Sequence, residues 1–368
     1  MAGSLTLSTS PINFDAAGIG KVYVSGVASG LGLFQSDPVG AVFSPNGKFV
    51  GHDINNNVDL SNGFAIVQKI DGLFQFYAQA GAYSIPALGV NYHATQRDGI
   101  DENHYFGYFP LGYAKLVPTD NFSVEAGKLP SVIGDENTFT YQNVNIERGL
   151  LWNLEPAITH GGQANLTTGP IAWAVSFTDG FYSTRYNWLS GSAAWTIDPS
   201  NTLTVSGGGS VSNSNSNSIA APYQLDNGAV INLIYTYNAA PFTISPYFQY
   251  THNDHSAIYT PGFTKDADTY GGAVLANYNI DDNWNLGGRF EYVGSSGSAT
   301  DGTVNVLFGP GSSAYSFTVT PTWQSGIYFA RLEGSYVGTS STTHGFVFGK
   351  TGNSTSQGRF LVEAGVLF

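Results

Sequence analysis

The segment Gly358-Arg-Phe-Leu-Val-Glu-Ala-Gly-Val-Leu-Phe368 alternates between two kinds of side chain. Counted back from Phe368, every second residue is apolar: Val366, Ala364, Val362 and Phe360. The intervening set includes Arg359 and Glu363, which carry opposite charges. Successive side chains of a β-strand point to opposite faces. The segment therefore predicts a strand with one apolar face and one charged face.

The same two-residue period continues through almost the whole chain. It is cleanest in 74–82, 242–251 and 315–324, where apolar and polar side chains alternate without a break. Sustained alternation is typical of antiparallel strands that separate two environments. The pattern predicts sixteen strands, at 21–34, 59–70, 73–84, 106–117, 121–128, 160–168, 171–180, 186–197, 202–212, 228–238, 242–252, 269–280, 284–294, 314–324, 328–338 and 358–368.

The gaps between these predicted strands alternate in length. Gaps after even-numbered strands are short and rich in Gly, Pro, Asn and Asp, as in Asp198-Pro-Ser-Asn201, whereas most other gaps are long. Short periplasmic turns and long extracellular loops are typical of outer-membrane barrels. We therefore predict an all-β, transmembrane, antiparallel up-and-down β-barrel spanning 21–368, after a lead segment at 1–20. An even strand number would leave both termini on the periplasmic side.

Composition supports this class and excludes others. The chain has 368 residues, 46 Gly, 22 Tyr and 24 Phe, and aromatic residues favour strands. We find no apolar run long enough for a transmembrane helix. A formal charge of −13 argues against a nucleic-acid partner, and the absence of Cys excludes disulfides and Cys-based metal sites. Because the start at 1–4 has no features of a secretion signal, we expect a mature chain whose leader was replaced.

The middle of the chain resembles a known family. The residues that carry the resemblance are Glu125-Ala-Gly-Lys-Leu-Pro-Ser-Val-Ile-Gly134, Glu136, Ile146-Glu-Arg148, Trp152 and Pro156-Ala-Ile-Thr-His-Gly161. They resemble the midsection of OmpL-like porins, the β-barrel porin-2 family, and the aromatic Phe368 resembles the end of a closing barrel strand. The resemblance implies a passive porin whose third loop, about 129–159, folds inward as the constriction. Porins of this size are often homotrimers.

The predicted constriction carries an excess of acidic residues. Its charged residues are Lys128, Asp135, Glu136, Glu147, Arg148 and Glu155, a balance of −2. In a narrow passage such charges would favour small cations, because screening there is weaker than in bulk water. The alternative interpretation is structural, with Glu147 and Arg148 paired to hold the shape of the loop.

A second set of charges lies on the polar rows of the predicted strands. We assign to the pore wall Lys115, Glu125, Arg289, Glu291, Arg331, Glu333, Arg359 and Glu363. Charges facing lipid at mid-depth cost about 2–4 kcal/mol for Arg or Lys, so this set should face inward. Because it is balanced, the acidic excess lies elsewhere, mainly in loops and turns. Those loops would stay solvated or bind divalent cations that bridge lipopolysaccharide.

Two groups of histidines are candidate metal ligands. One is His252-Asn-Asp-His255, and the other is His93 and His104 around Asp98, Asp101 and Glu102. Neither spacing matches an established signature, so we predict no metal and no cofactor. A Gly-x-Ser-x-Gly elbow before a helix is also missing, which argues against an esterase.

These observations predict a porin in the bacterial outer membrane. It would pass small hydrophilic solutes and ions by diffusion, with a weak cation preference, and its partners would be outer-membrane lipid and lipopolysaccharide. The alternative is a barrel that sheathes an electron-transfer or secretion partner. An outer-membrane hydrolase is the third hypothesis, and we expect no enzyme activity.

Overall fold

The computed structural model describes residues 3–6, 11–39, 54–92, 94–95, 106–216, 218 and 220–368. Its strands are β1 Ile12–Ala16, β2 Gly20–Gln35, β3 Asn56–Lys69, β4 Phe74–Tyr83, β5 Leu111–Thr119, β6 Phe122–Pro130, β7 Ile158–Thr168, β8 Ile171–Thr178, β9 Trp188–Asp198, β10 Asn201–Ser210, β11 Ala229–Ala239, β12 Phe242–Asn253, β13 Ala267–Asn279, β14 Trp284–Ser295, β15 Ser313–Ser325, β16 Tyr328–Ser340 and β17 Ser356–Leu367. The helical elements that lie wholly within the described residues are two 3-10 turns, Thr140–Gln142 and Trp152–Leu154, and one short helix, α1, Tyr223–Asp226.

The strands close into a barrel. Each strand from β2 to β17 pairs antiparallel with the next, and β17 returns to β2 from Arg359↔Gln35 to Leu367↔Val27. Backbone bonds between Phe368 and Gly26 complete this seam. The predicted sixteen-stranded antiparallel barrel is confirmed, and all sixteen predicted strands are present with ends shifted by a few residues. Closure satisfies the backbone groups that an open sheet edge would leave unpaired.

The two faces of the barrel differ as the alternation requires. In β15 the outward Tyr315 and Phe317 are exposed, whereas the inward Ser316, Thr318 and Thr320 are fully buried. The same contrast follows the other long strands, because one row of each strand faces outward and the other faces the packed interior. The exterior is therefore a belt of apolar and aromatic side chains around a polar interior.

Turns of two to four residues join the strands at one end of the barrel, for example 120–121 and 280–283. At the opposite end the connections are longer, including 84–110, 131–157 and 296–312. Among the described residues, no helix has the length and apolar character needed to cross a bilayer.

One strand was not predicted. β1 lies in the segment expected to be a lead, and it pairs with the first residues of β2, from Ile12↔Val24 to Ala16↔Gly20. It therefore continues the edge of β2 beyond the point where β17 ends. Its apolar Ile12 and Phe14 are exposed and alternate with polar residues, so the two-residue period was present there too.

We predict that a charge on the outward row is destabilising in proportion to its depth. Phe290, near the middle of β14, is about half exposed and faces outward. Phe290→Arg should lower the free energy of unfolding by at least about 2–4 kcal/mol, because the guanidinium would be placed at mid-depth in the hydrocarbon. The measurement is reversible unfolding in lipid vesicles.

Tyr328, at the short-turn end of β16, provides the matched control. Tyr328→Arg should cost only about 0–1 kcal/mol for the charge, because the group lies near the interface. Equal costs at the two positions would contradict a membrane-spanning barrel in this orientation.

Candidate pore and the loop that fills it

The connection between β6 and β7, residues 131–157, is called the third loop here. Its apolar side chains pack against opposite walls of the interior. Leu150 joins a buried cluster with Ile234 and Leu275, whereas Phe139 packs against Phe64 with ring centroids 4.7 Å apart. Burial of each large apolar side chain stabilises by about 1.5–3 kcal/mol. The third loop therefore spans the barrel interior and is held at both sides.

Two buried ion pairs fix the third loop to the wall. Arg289 of β14 lies 2.6 Å from Glu136, and Arg359 of β17 lies 2.7 Å from Glu147. Arg289 also donates to the backbone carbonyl of Glu147 at 2.6 Å. These four side chains are at most 1% exposed. Removing one partner of such a pair is costly, because the remaining charge stays buried without compensation.

Wall carboxylates bind the backbone of the third loop directly. Glu333 accepts bonds from the N–H groups of Ile146 and Glu147, at 2.5 and 2.9 Å. Glu291 accepts from those of Leu150 and Leu151, at 3.0 and 3.2 Å. An irregular loop has few backbone partners of its own, and buried N–H groups without partners are costly. The wall therefore supplies the hydrogen bonds that a helix or sheet would otherwise provide.

Arg331 and Glu363 extend this pattern to the seam of the barrel. Arg331 donates to the carbonyls of Thr140, Asn143 and Val144, at 2.9, 3.0 and 2.8 Å. Glu363 lies 3.4 Å from Arg331 and accepts a bond of 2.7 Å from the hydroxyl of Thr140. Its other donors, Asn62 and Ser29, come from β3 and β2. We call these contacts between wall charges and the third loop the anchoring network.

The buried charges around the third loop are not balanced. The carboxyl groups are Asp135, Glu136, Glu147, Glu155, Glu291, Glu333 and Glu363, and the guanidinium groups are Arg148, Arg289, Arg331 and Arg359, an excess of three acids. Burial raises the pKa of Glu155 well above its usual value, and neighbouring carboxylates add to the rise. Burial also raises the pKa of Glu136, although Arg289 opposes it. Proton uptake by such groups reduces the excess of negative charge.

The residues predicted to form the constriction have different surroundings in the structure. Glu136 and Glu147 belong to the anchoring network, and Glu147 pairs with Arg359 and Ser335. Asp135 and Glu155 are buried, and Glu155 accepts a bond of 2.7 Å from Asn232. The fully buried Arg148 lies 5.6 Å over the ring of Trp152.

Lys128, which was also predicted to belong to the constriction, does not join this group. It lies on the same row of β6 as the exposed Phe122 and Val124, and faces outward. Its ammonium donates to the carbonyls of Phe106 and Phe109, at 3.1 and 2.9 Å. Successive residues of a strand point to opposite faces. Lys128 is an even number of residues from Phe122 and therefore shares its outward face.

Of the eight predicted wall charges, six belong to the anchoring network. The other two, Lys115 and Glu125, face each other on β5 and β6 at 3.5 Å and are 31% and 11% exposed. They lie on a wall that the ion pairs of the third loop do not use.

Three cavities follow the other side of the third loop. The outer cavity, about 400 Å³, is bordered by Ile85, Ala87, Trp152, Glu155, Phe181 and Phe308. The middle cavity, about 220 Å³, separates Phe139 and Gln142 of the third loop from Tyr77 and Tyr113 of the wall. The inner cavity, about 330 Å³, reaches Leu5 and Gln68. Ala157 borders the outer and middle cavities, and Tyr77 and Gln142 border the middle and inner ones, so the three are consecutive.

Neutral polar groups line part of the middle cavity, beside Glu136 and apolar residues such as Phe139. The rings of Tyr77 and Tyr113 stack with centroids 5.6 Å apart, and the hydroxyl of Tyr77 donates to Gln79 at 2.7 Å. The hydroxyl of Tyr141, from the third loop, lies 3.5 Å from the same oxygen of Gln79. Sequence reasoning did not select these residues, although Tyr77 and Gln79 belong to the polar row of 74–82.

One of the two candidate histidine groups lies outside the described residues. Its members are His93, Asp98, Asp101, Glu102 and His104.

Known structures share this architecture at low sequence identity. DcaP, an outer membrane channel of Acinetobacter baumannii, is 11% identical with a TM-score of 0.58, covering 100% of both chains. The anion-selective porin of Comamonas acidovorans is 10% identical with a TM-score of 0.57, covering 94% of this chain and 99% of its own. OmpT of Vibrio cholerae, in its trimer form, is 10% identical with a TM-score of 0.58, over 94% and 99%. At these identities the likeness shows the fold alone.

The chain matches no curated protein. One family, described as "Putative beta-barrel porin-2, OmpL-like", matches over residues 21–368, which is almost the whole barrel with its third loop. The chain belongs to this OmpL-like β-barrel porin-2 family.

Proposed function

We propose that the protein is a porin of the bacterial outer membrane that passes small hydrophilic solutes and ions by diffusion. Family membership and the closed barrel support this function. The observation that carries it is the asymmetric position of the third loop, which is ion-paired to β14 and β17 and leaves consecutive cavities, the middle one bordered by β4–β6. In this proposal both termini lie on the periplasmic side with the short turns, and no covalent chemistry takes place.

The proposed passage runs through the outer, middle and inner cavities. We propose that its narrowest part lies at the smallest cavity, between the wall tyrosines Tyr77 and Tyr113 and the loop residues Phe139 and Gln142. Hydroxyl and amide groups can replace part of the hydration shell of a solute without imposing a charge. We therefore propose a passage for small polar solutes with only weak selectivity among ions.

The cation preference is proposed to be weak for a physical reason. Glu136 and Glu147 of the third loop are paired with arginines, and burial raises the pKa of Glu155, which favours its neutral form; few free charges therefore face the passage. Glu136 borders the middle cavity, and its ion pair with Arg289 leaves only a small advantage to cations. An anion-selective porin has the same fold, so the fold does not fix the sign of selectivity.

The sheath hypothesis receives no support from the interior. The third loop occupies it, and cavities of about 220–400 Å³ are far too small for a folded protein. A homotrimer embedded in lipid and lipopolysaccharide stays our proposal for the assembly, supported by the trimer form of OmpT. Light scattering of the detergent-folded protein would give the mass, and a monomer mass would contradict the trimer.

The first functional prediction concerns the width of the passage. Purified protein in planar bilayers should give discrete, ohmic conductance steps. Tyr77→Ala should raise the step size, because its ring borders both the middle and the inner cavity. Tyr77→Phe, which keeps the ring, should leave the step size close to that of the parent. A silent bilayer, with folding verified by heat-modifiable gel migration, would refute the channel.

The second functional prediction concerns ion selectivity, measured as the reversal potential in a KCl gradient. Glu125→Gln leaves Lys115 unpaired and should shift selectivity toward anions, whereas Lys115→Gln should shift it toward cations. Asp282→Asn, in the exposed β13–β14 turn, serves as the control and should have little effect. Identical reversal potentials in all variants would show that this wall does not line the passage.

The third functional prediction concerns the anchoring network. Arg359→Gln removes the partner of Glu147 and should lower the free energy of unfolding by about 3–5 kcal/mol, because a buried carboxylate loses its compensation. It should also make the current noisier, since the third loop is released from β17. Lys265→Gln, which breaks the exposed pair of Lys265 and Asp301, should cost at most about 1 kcal/mol. A quiet, fully stable Arg359→Gln channel would contradict the anchoring role.

A further inference from the structure

A group of histidine and aspartate side chains lies at the long-loop end of the β12–β13 hairpin. The paired strands end at Asn253↔Ala267, one step after the cross-strand pair His252↔Asp268. Asp254 and Asp266 are the next residues beyond that last pair. Alternation along a strand places residues two apart on the same face, and all four side chains meet there.

The imidazole of His252 has a defined orientation. Its Nδ1 lies 2.9 Å from Oδ1 of Asp268, and the hydroxyl of Tyr250 donates to the same oxygen at 2.7 Å. An ionised carboxylate only accepts hydrogen bonds, so Nδ1 carries the proton. In the neutral ring, Nε2 then presents a lone pair.

That lone pair faces two further acceptors. Nε2 lies 3.5 Å from Oδ1 of Asp254 and 3.9 Å from Oδ2 of Asp266, and one ligand atom from each residue lies within 4.8 Å of the others. Two carboxylates at opposing strand positions repel each other. A cation between the three atoms would turn this repulsion into attraction.

The spacing suits a metal ion with short bonds. With bonds of about 2.1 Å and tetrahedral angles, neighbouring ligand atoms lie about 3.4 Å apart. The distances of 3.5 and 3.9 Å from Nε2 are close to this value. Only small side-chain movements would complete three coordination bonds. The side chains are 28–42% exposed, which leaves a fourth position open to water.

The supporting hydrogen bonds are those that metal ligands commonly have. Asp268 holds Nδ1 of His252, and Oδ1 of Asp266 accepts bonds from Nδ1 and the backbone N–H of His255, at 2.6 and 2.9 Å. Oδ2 of Asp266 is thereby directed to the shared centre. Partners of this kind fix the tautomer and orientation of metal ligands.

We propose that His252, Asp254 and Asp266 form a binding site for a divalent transition metal ion of the Zn²⁺ class, with Asp268 and His255 as positioning residues. An imidazole ligand favours such ions over Ca²⁺ and Mg²⁺, which prefer oxygen ligands. The site lies on the outer surface, on the rows that carry the exposed Tyr250 and Tyr270, and is independent of the proposed passage. The bound ion would join the ends of β12 and β13 across the mouth of their loop.

The test is calorimetric titration of Zn²⁺ into the detergent-folded full chain after removal of any affinity tag. We expect one equivalent to bind. His252→Ala and Asp266→Asn should abolish this binding, and Asp268→Asn should weaken it about 10- to 100-fold, because the imidazole loses its orienting partner. His344→Ala, which removes a histidine hydrogen-bonded to Asn353 in another loop, should bind like the parent.

Co²⁺ provides a second readout, since a site of low coordination number gives intense visible absorption that His252→Ala should remove. Heat-modifiable migration verifies that each variant is folded. Absence of Zn²⁺ binding, or binding that survives His252→Ala in the folded barrel, would overturn the proposal. Ca²⁺ binding that competes with Zn²⁺ and survives His252→Ala would also overturn it, because the imidazole would then have no role.

Discussion

The need to pair every backbone N–H and C=O group in the hydrocarbon determines the rest of this molecule. Closure of β17 on β2 meets that need and leaves no open edge in the sixteen-stranded sheet. Once the sheet is closed, each strand has one row in lipid and one row inside. Away from the strand ends, charged strand residues then have only the interior to occupy, and this concentrates arginines and carboxylates around its centre. The irregular third loop can be buried there because those side chains bind its backbone.

The anchoring network combines two kinds of contact that are usually discussed separately. Arg289 and Arg359 neutralise acidic side chains of the third loop, whereas Glu291, Glu333 and Arg331 bind its main chain. Buried ion pairs are weak evidence for net stability, because desolvation offsets much of the attraction. Their clearer effect is on position. Since the charges lie on β14–β17, the third loop is held at that side and the middle cavity remains along β4–β6.

Local pattern was sufficient to predict the barrel but not the arrangement inside it. Strict alternation and short turns located all sixteen barrel strands, because the contrast between lipid and interior acts on every residue. β1 was missed because a five-residue strand gives a weak signal, even though Ile12 and Phe14 alternate correctly. Lys128 lies apart from the other predicted constriction residues because its row on β6, and not its proximity to them in sequence, determines its face. The alternating pattern predicts which row of a strand faces inward. It does not predict which wall the third loop contacts, because that depends on pairs such as Arg359 and Glu147, which are more than two hundred residues apart.

The distance between those partners along the chain also determines when the third loop can dock during folding. The third loop is synthesised well before β14, β16 and β17, which supply the groups that bind it. Until these strands are in place, Glu136 and Glu147 lack their arginines, and the backbone of 146–151 lacks Glu291 and Glu333. The loop can therefore settle only as the last strands close the barrel. The loop therefore docks only in a barrel whose chain is complete and closed. In an unfinished barrel the interior would contain water and the loop would be solvated.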